Sequence, residues 1–428
     1  MLTVYAVTAA FSAYFCMYAD RKAFAAGTFA GTVSVFGLAL DRKVVLVLAQ
    51  VAGYCISKFL GIKIVSELRP ERRAGALVVC IGIAEAALLL LPILPHGWQW
   101  IALLLNGLPL GLVWGLVFGF LEGRKTSEIL GAGLCASFIV ASGAVKGVGK
   151  YLLGRGVAEE WMPAMTGLLF LPPLLLCAFL LSRMPAPSAD DEAQRCKRAP
   201  MDAAARLAFV KRFAPGLVLL VGLYVPLTAL RDFRDNFAPE IWTALGYGNE
   251  ASILTEAEAY VAAFALLTVA VMMPIRNNRV ALLAVHGAML AGVAVAAGST
   301  LAFQAGLIGG KVWMIALGTG IYVTYVPYNC VLFDRLVAAT SSVATAGFLI
   351  YVADATGYLG SSALVVYKNL GAPALPWADF LGRASLITGL AGAGVYAASA
   401  AYFWKKTSPE EVKSPSLDEL PVSGSPAP

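Results

Sequence analysis

The sequence carries little charge for its length. Lys, Arg, Asp and Glu together make up 14% of its 428 residues, whereas hydrophobic residues make up 59%. Water-soluble domains have about 25% charged residues, so this composition excludes an ordinary soluble domain. The apolar residues form long runs between short polar loops, and a run of about 20 such residues can cross a bilayer as a helix. The composition therefore indicates a polytopic helical membrane protein.

Residues that hold metals or perform covalent catalysis are also scarce. The seven cysteines have neither CxxC nor metal-ligand spacing, so we predict seven free thiols, six in apolar runs and Cys196 in a polar loop. The sequence contains no HExxH, GxSxG or P-loop motif. We therefore expect no metal, no cofactor and no enzymatic activity.

The apolar runs number twelve. They cover roughly residues 2–29, 44–65, 74–95, 99–121, 127–153, 161–182, 213–238, 257–275, 280–303, 311–333, 343–367 and 380–404. The longest polar stretch between them divides the runs six and six, and the tail is rich in Ser, Pro and Glu. We predict an all-α integral membrane fold with an N-terminal six-helix bundle (1–182), a cytoplasmic linker (183–212), a C-terminal six-helix bundle (213–404) and a disordered tail (405–428).

The positive charges of the loops predict the orientation. Most loop Lys and Arg residues lie in 66–73, 123–128, 183–212, 276–279 and after 404, and cytoplasmic loops are enriched in these residues. Both termini are therefore predicted to be cytoplasmic, and the net charge of +6 reflects topology, with no role in nucleic-acid binding. We expect a retained first helix with no signal peptide, and a monomer in the lipid bilayer of a cell membrane. The Ala-rich and Gly-rich composition favours a bacterial inner membrane.

One arginine lies deep in the first apolar run and another in the seventh, Arg21 and Arg231. Arginine does not lose its proton in proteins, and placing it at the bilayer centre costs roughly 3 kcal/mol or more. Such residues usually face a polar cavity and a partner. Two of them suggest a bound anion; the alternative is that each forms a structural salt bridge between helices.

The helical spacing places other polar residues beside these arginines. Tyr14, Tyr18 and Arg21 share one face of the first helix, and Arg231 shares a face with Asp235 in the seventh. Residues four apart can form an ion pair. We therefore expect the two tyrosines to line the site and Asp235 to neutralise part of the Arg231 charge.

Further candidates lie in the fifth, tenth and eleventh runs. Lys146 is flanked by glycines, and we expect a third anion ligand, a proton carrier or the partner of a carboxylate. Tyr325 and Asn329 share a face, as do Tyr351, Asp354 and Tyr358. The tyrosines and Asn329 are candidate ligands of an oxyanion, with hydrogen bonding between helices as the alternative. An intramembrane carboxylate such as Asp354 indicates either proton coupling or an ion pair with Arg231 or Lys146.

The remaining intramembrane polar residues fit structural roles better. Asp20 is predicted to contact another helix, since it cannot face its neighbour Arg21. Arg234 is off the Arg231 stripe and is predicted to form a structural ion pair or a gate. Glu85 and His286 are predicted to make local hydrogen bonds at the periphery.

Four short strings spread over both halves resemble a known family. They are YADRKAF from Tyr18, GYCISKF from Gly53 followed by SELRPERR, LRDFRDNFAP around Arg231, and TGYLGSS from Thr356. In this order and at these places they resemble the organophosphate:phosphate antiporters of the major facilitator superfamily, which transport glycerol phosphate and hexose phosphates. The resemblance implies the major facilitator fold.

The resemblance also implies that Arg21 and Arg231 hold a phosphate or another oxyanion between the two bundles. A guanidinium offers planar paired donors matched to phosphate oxygens. The sequence departs from the family pattern in three places. The string PIRNNR between spans eight and nine lacks the expected Gly and Asp pattern, and two acidic residues crowd the second arginine. Lys146 and Lys150 interrupt a stretch where the family has a histidine and a run of glycines.

Together these features predict a secondary active transporter of a small organic anion, a phosphorylated or phosphate-like solute, that works by alternating access. Repulsion between Arg21 and Arg231 in an empty site favours exchange of one anion for another. Two alternatives remain open. One is a proton-coupled symporter of a non-phosphate solute in which Asp354 titrates, and the other is a transporter-like sensor that binds a ligand and signals through 183–212.

Overall fold

The computed structural model describes residues 2–35, 37–121, 127–185, 203–250, 252–340 and 346–408. The first half of this described chain contains α1 (Leu2–Lys22), α2 (Arg42–Glu67), α3 (Arg73–Leu90), α4 (Gln99–Leu121), α5 (Ser127–Gly154) and α6 (Met162–Ser182). The second half contains α7 (Ala203–Asn236), α8 (Ala238–Ala244), α9 (Ile253–Met272), α10 (Asn278–Gln304), α11 (Gly310–Cys330), α12 (Leu332–Ala339), α13 (Ala346–Leu370) and α14 (Trp377–Lys406).

The number of membrane-crossing segments agrees with the twelve that the sequence predicts. Ten helices of the described chain are long and apolar enough to cross a membrane, and α11 with α12 forms one further span that bends by 49°. The twelfth segment is α1, which is 21 residues long. Its last turn carries Asp20, Arg21 and Lys22.

The predicted first span is too long. The sequence favours a helix to residue 29, but α1 ends at Lys22 and a short 3-10 turn covers Ala23–Ala26. An antiparallel hairpin follows, in which β1 (Thr32–Val35) pairs with β2 (Leu38–Asp41). Gly31 precedes the hairpin with a φ of 106°, a conformation that a residue with a Cβ rarely adopts. We call the end of the molecule that carries these strands the hairpin end.

The seventh helix begins ten residues before the predicted span. Residues 203–212 are rich in Ala, Leu, Arg and Lys, which are strong helix formers, so the helix extends into sequence that an apolar-run criterion rejects. The rest of the predicted linker, 186–202, and the tail from 409 lie outside the described residues. The last helix ends at Lys406, close to the predicted position.

The two halves repeat one packing pattern. In the first half α2 and α3 pack on α4, and α5 and α6 pack on α1; in the second half α9 and α10 pack on α11, and α13 and α14 pack on α7. The contacts between halves repeat as well, because α2 packs on α13 and α5 packs on α9. The bundle is therefore pseudo-symmetric, and its centre lies between α1 and α7.

Small residues permit the closest helix contacts. A Cβ added to Gly107 of α4 would lie 2.2 Å from the backbone oxygen of Gln50 in α2, and one added to Gly53 would lie 2.3 Å from the backbone oxygen of Leu104. Glycine at such positions lets two backbones touch inside a membrane. This contact fixes the position of α2, which carries two side chains of the central site.

Candidate functional site

A small polar cavity lies at the centre of the bundle, between the two halves. It has a volume of about 10 Å³, which is room for about one water molecule. The first half contributes Tyr14, Tyr18, Arg21, Tyr54, Lys58, Trp114 and Phe138. The second half contributes Arg231, Tyr325, Asn329, Asp354 and Tyr358.

The two arginines predicted from the sequence meet at one oxygen atom. Arg21 Nη2 donates to the hydroxyl oxygen of Tyr358 over 3.1 Å, and Arg231 Nη2 donates to the same oxygen over 3.2 Å. Arg21 lies on α1 and Arg231 on α7, so guanidinium groups from opposite halves converge on a single acceptor. Both side chains are buried.

Arg21 has aromatic partners. Its Nη1 donates to the Tyr18 hydroxyl over 3.3 Å, and its guanidinium carbon lies 3.9 Å from the centre of the Tyr54 ring. Among the described residues no carboxylate forms a salt bridge with it. A cation over an aromatic face is attracted to the ring, yet it keeps its full charge. Arg21 therefore presents to the cavity a positive charge that has no carboxylate in direct contact among the described residues.

Arg231 is neutralised by its neighbour. Its Nη2 lies 2.7 Å from Asp232 Oδ1, and its guanidinium carbon lies 4.3 Å from the Tyr325 ring centre. Ser361 donates to the other oxygen of Asp232 over 3.0 Å. The predicted ion pair between Arg231 and Asp235 is wrong, because Asp235 points to the first half of the molecule.

A second ion pair crosses the cavity. Lys58 Nζ of α2 lies 3.0 Å from Asp354 Oδ2 of α13, and Tyr224 donates to the other carboxylate oxygen over 2.5 Å. Asp354 thus has a basic partner, but the partner is neither Arg231 nor Lys146. Lys58 also lies 5.3 Å from the Tyr54 ring centre. The pair joins the two halves at the level of the cavity.

A second cluster between the halves lies nearer the hairpin end. Asp235 Oδ2 of α7 is 2.6 Å from Lys22 Nζ of α1, and its Oδ1 is 2.6 Å from Lys146 Nζ of α5. Ser142 also donates to Oδ1, and Asn236 accepts a hydrogen bond of 2.7 Å from Lys22. We call Lys22, Lys146 and Asp235 the clamp. Lys146 and Asp235 are thus absent from the lining of the cavity.

Two more ion pairs lie at the hairpin end. Lys43 of α2 pairs with Glu240 of α8 between the halves, and Arg42 Nη2 lies 2.7 Å from Glu160 Oε1 within the first half. Glu160 belongs to the loop between α5 and α6, outside the spans. The hydrogen bond from Arg42 lowers the pKa of Glu160, because it favours the ionised carboxyl group. The hairpin end is therefore closed by several charged contacts.

The predicted site residues divide into three groups. Those that line the cavity are Tyr14, Tyr18, Arg21, Arg231, Tyr325, Asn329 and Asp354. Tyr351 lies behind that lining, with its ring centre 5.4 Å from Lys58 Nζ, and its ring contacts Trp114. Lys146 and Asp235 belong to the clamp.

The sequence analysis missed three lining residues, Tyr54, Lys58 and Phe138. Tyr54 and Lys58 are four residues apart on one face of α2. The string GYCISKF therefore indicates a polar face that the sequence analysis did not use. Tyr358, one turn after Asp354 on α13, was predicted as a candidate and lines the cavity. Phe138 carried no signal in the sequence, because a phenylalanine that faces a cavity looks the same in an apolar helix as one that faces elsewhere.

The expected structural roles of two buried residues are confirmed. Arg234 Nη1 lies 2.7 Å from Glu258 Oε1 within the second half. His286 bonds with its ring nitrogens to the backbone oxygen of Leu282 and to Ser399, over 2.8 and 3.0 Å. The six described cysteines are free thiols, and Cys196 lies outside the described residues.

Comparisons with known proteins identify the family of the chain and its fold. The model of a family of unknown function, DUF5690, matches residues 23–406. No curated protein matches the sequence. Among solved structures, a D-xylose-proton symporter is similar with a TM-score of 0.59 and 16% identity, over 96% of this chain and 98% of that one.

Two further structures show the same fold. The proton:xylose symporter XylE of the major facilitator superfamily, bound to 6-bromo-6-deoxy-D-glucose, has a TM-score of 0.60 and 15% identity over 95% of each chain. A point mutant of the nucleoside transporter NupG has a TM-score of 0.58 and 11% identity, over 94% of this chain and all of that one (100%). At these identities the likeness shows the fold alone, which is the major facilitator fold with its two six-helix bundles.

Proposed function

We propose a transport function for this chain, which belongs to the DUF5690 family and has the major facilitator fold. It is a secondary transporter that moves a small organic anion, one with a phosphate or phosphate-like group, by alternating access between its two halves. The observation that carries the proposal is the convergence of Arg21 and Arg231 from opposite halves on one oxygen atom in the central cavity.

The charge of the cavity favours an anion. Three cations line it, Arg21, Lys58 and Arg231, against the single carboxylate Asp354. Asp232 compensates Arg231 from outside the lining, which leaves Arg21 as the excess charge. Burying an unpaired guanidinium is costly, and an oxyanion between the two arginines removes that cost. Their planar donors fit phosphate oxygens better than an ammonium group does.

The aromatic walls indicate an organic group beside the anion. The rings of Tyr54, Trp114, Phe138 and Tyr325 surround the charged groups, and aromatic faces pack on compact organic groups while tyrosine hydroxyls donate hydrogen bonds. The fold neighbours named for D-xylose and nucleosides are consistent with a solute of sugar size. We therefore propose a phosphorylated solute of this size as the first class to test.

The described conformation is closed around the cavity. A volume of about 10 Å³ holds about one water molecule, so a sugar-sized solute requires the halves to move apart. Opening at the hairpin end requires separation of the clamp and of the Lys43–Glu240 pair, since each joins the two halves. With both termini in the cytoplasm, as the loop charges predict, the hairpin end faces outward.

The first experiment is a thermal-shift screen of the purified protein. A ligand that binds only the folded state raises the midpoint of unfolding, Tm. The panel contains inorganic phosphate, sugar phosphates, phosphonates, carboxylates and the neutral parent sugars. It is run on the parent protein and on Arg21→Gln and Arg231→Gln, with Arg276→Gln as a control at an exposed arginine and Arg234→Gln as a control at a buried one.

The expected result is stabilisation by one class of phosphorylated solute that both cavity variants lose and both controls keep. The same solute should then exchange in counterflow assays with proteoliposomes. Equal responses in Arg21→Gln and in the parent protein would contradict the proposed anion site. Binding without counterflow would favour a transporter-like sensor.

A second candidate is a proton-coupled symporter of a neutral solute. The observation that favours it is the Lys58–Asp354 pair, because protonation of Asp354 would break a contact between the halves. Stabilisation by neutral sugars alone, with no response to anions, would support this candidate. In that case Asp354→Asn should abolish uptake driven by a pH gradient.

A further inference from the structure

Two carboxyl groups meet inside the first half, on the side of α1 that faces away from the cavity. Asp20 of α1 and Glu85 of α3 are 3% and 4% exposed, and their carboxyl groups converge beside Gly167. Gly167 of α6 provides the space for the contact. A Cβ at that position would lie 2.0 Å from Glu85 Oε2 and 3.2 Å from Asp20 Oδ1.

Among the described residues, the groups around this pair supply no cation and leave three of its four carboxyl oxygens without a donor. Within the described chain, no N–H or O–H group donates to Asp20 Oδ1 or to either oxygen of Glu85. On α4 the Asn106 amide is directed elsewhere, since its Nδ2 donates to the backbone oxygens of Asp20 and Ala84. The Cys16 thiol, on α1 itself, is close enough to interact electrostatically with Asp20. No Lys, Arg or His side chain of the described chain forms an ion pair with either carboxyl group.

Two carboxylates in contact in a buried site cannot both be ionised at moderate cost. One proton shared between them removes the repulsion and supplies the donor that the oxygens lack. We propose that Asp20 and Glu85 form a proton-binding site and that its proton is coupled to the movement of α1. The coupling to solute rests on the transport function proposed above; the proton site itself does not.

The last turn of α1 gives the coupling a structural basis. Asp20, Arg21 and Lys22 are consecutive, and about 100° of rotation per residue sends their side chains in three directions. Asp20 meets Glu85, Arg21 lines the cavity and Lys22 joins the clamp. Loss of the shared proton makes α1 and α3 repel each other at this turn. Any displacement of the turn moves a cavity arginine and a clamp lysine together.

The proton site is tested first without any solute. Carboxyl groups of an unfolded chain are ionised at neutral pH, so the folded protein binds one more proton and its stability must fall as the pH rises. We expect the Tm of the parent protein to fall as the pH rises above about 5, where the carboxyl groups of the unfolded chain are ionised, and this fall to be less than half as large in Glu85→Gln and in Asp20→Asn. The matched control is Glu258→Gln, a buried acid paired with Arg234, which should retain the full fall.

Proteoliposomes then test the coupling. With the anion found in the thermal screen, an imposed pH gradient should drive accumulation by the parent protein, and Glu85→Gln should abolish it. Counterflow of the same anion is measured in each preparation, because exchange needs no net proton movement. If Glu85→Gln and Asp20→Asn lose the pH-dependent fall in Tm but the parent protein transports no anion, the proton site is supported and the transport function is refuted.

The opposite outcomes overturn the inference. A fall in Tm that persists unchanged in both Asp20→Asn and Glu85→Gln means that the pair holds no titrating proton. Accumulation by Glu85→Gln equal to that of the parent protein means that the proton, if bound, is not coupled. Should one of the two substitutions prevent folding, the other provides the measurement.

Discussion

The clamp allows a direct test of how the hairpin end is held closed. Asp235 is 8% exposed and forms ion pairs with Lys22 and Lys146, both at 2.6 Å. Asp235→Asn keeps the shape of the side chain but removes its charge, which leaves two buried lysines of the first half without a counter-ion. We expect this substitution to shift the protein toward a conformation that is open at the hairpin end.

The size of the free-energy shift between the closed and open conformations follows from the burial of the two lysines. Removing one partner of a buried ion pair costs about 3–5 kcal/mol, because the remaining charge stays buried and unpaired. In the open conformation both ammonium groups reach water, so the cost falls mainly on the closed state. A shift of about 3 kcal/mol changes a closed-to-open ratio of about 99:1 to nearly equal populations. Even half of this effect is measurable.

Distances between spin labels report the shift. One label replaces Tyr151 near the end of α5, and the other replaces Leu307 in the loop between α10 and α11; these positions are 55% and 78% exposed. Both lie at the hairpin end, in opposite halves. The six described cysteines are buried, and Cys196→Ser removes the remaining thiol. A second, longer distance should appear in Asp235→Asn.

The control removes a carboxylate that does not join the halves. Glu256 lies 2.9 Å from Lys311, and both belong to the second half and are largely exposed. Glu256→Gln should therefore leave the distance distribution unchanged. If the distributions of folded Asp235→Asn and of the parent protein superimpose, the clamp does not hold the hairpin end closed, and the reasoning from its charges is wrong.

Two other ion pairs give predictions of different kinds. Lys58→Gln and Asp354→Asn should each lower Tm, whereas the double variant should recover part of the loss, with a coupling energy of about 1–3 kcal/mol in a double-mutant cycle; strictly additive losses would contradict the pair. Because the hydrogen bond from Arg42 lowers the pKa of Glu160, this carboxyl group stabilises the fold above its unfolded pKa, and the contribution is lost as the pH falls through its folded pKa. Glu160→Gln should therefore reduce the acid-induced loss of unfolding free energy by less than about 1 kcal/mol, measured by denaturation at each pH, and an unchanged acid profile would show that the pair contributes nothing.

The sequence predicted the residues that helical periodicity determines. Arg21 with Tyr14 and Tyr18 lies on one face of α1, and all three line the cavity. Spacing along one helix fixes which side chains share a face, and the cost of an intramembrane arginine fixes which face avoids lipid. These two rules were sufficient to identify Arg231 as well, although its ion-pair partner differs from the predicted one.

The partners of the charged residues could not be predicted in the same way. Asp235 is four residues after Arg231, a spacing that favours an ion pair in an isolated helix. In the folded protein, two lysines from other helices form ion pairs with Asp235, and Arg231 forms an ion pair with Asp232. Which helix lies opposite a given face depends on the packing of all twelve spans. Lys58 and its partner Asp354 illustrate the same limit, since 296 positions separate them in the sequence.

The pseudo-symmetry of the fold separates the acid pair from the other buried charges. α1 ends in Asp20, Arg21 and Lys22, and the equivalent helix α7 ends in the string RDFRDN. Each end places one arginine at the cavity and one charged residue in the clamp. Each also sends one charged residue back into its own half. On α7 this residue is Arg234, which meets a carboxylate of α9.

On α1 the residue directed into its own half is Asp20, and its partner is another acid. A protein that needed only rigidity at this position would gain it from an ion pair like that of Arg234, in which the two partners attract each other. Two acids in contact hold together only while they share a proton. The first half therefore has a contact that depends on the proton concentration where the second half has one that does not. This difference predicts that pH changes the packing of α1 in its bundle and leaves the packing of α7 against α9 unchanged.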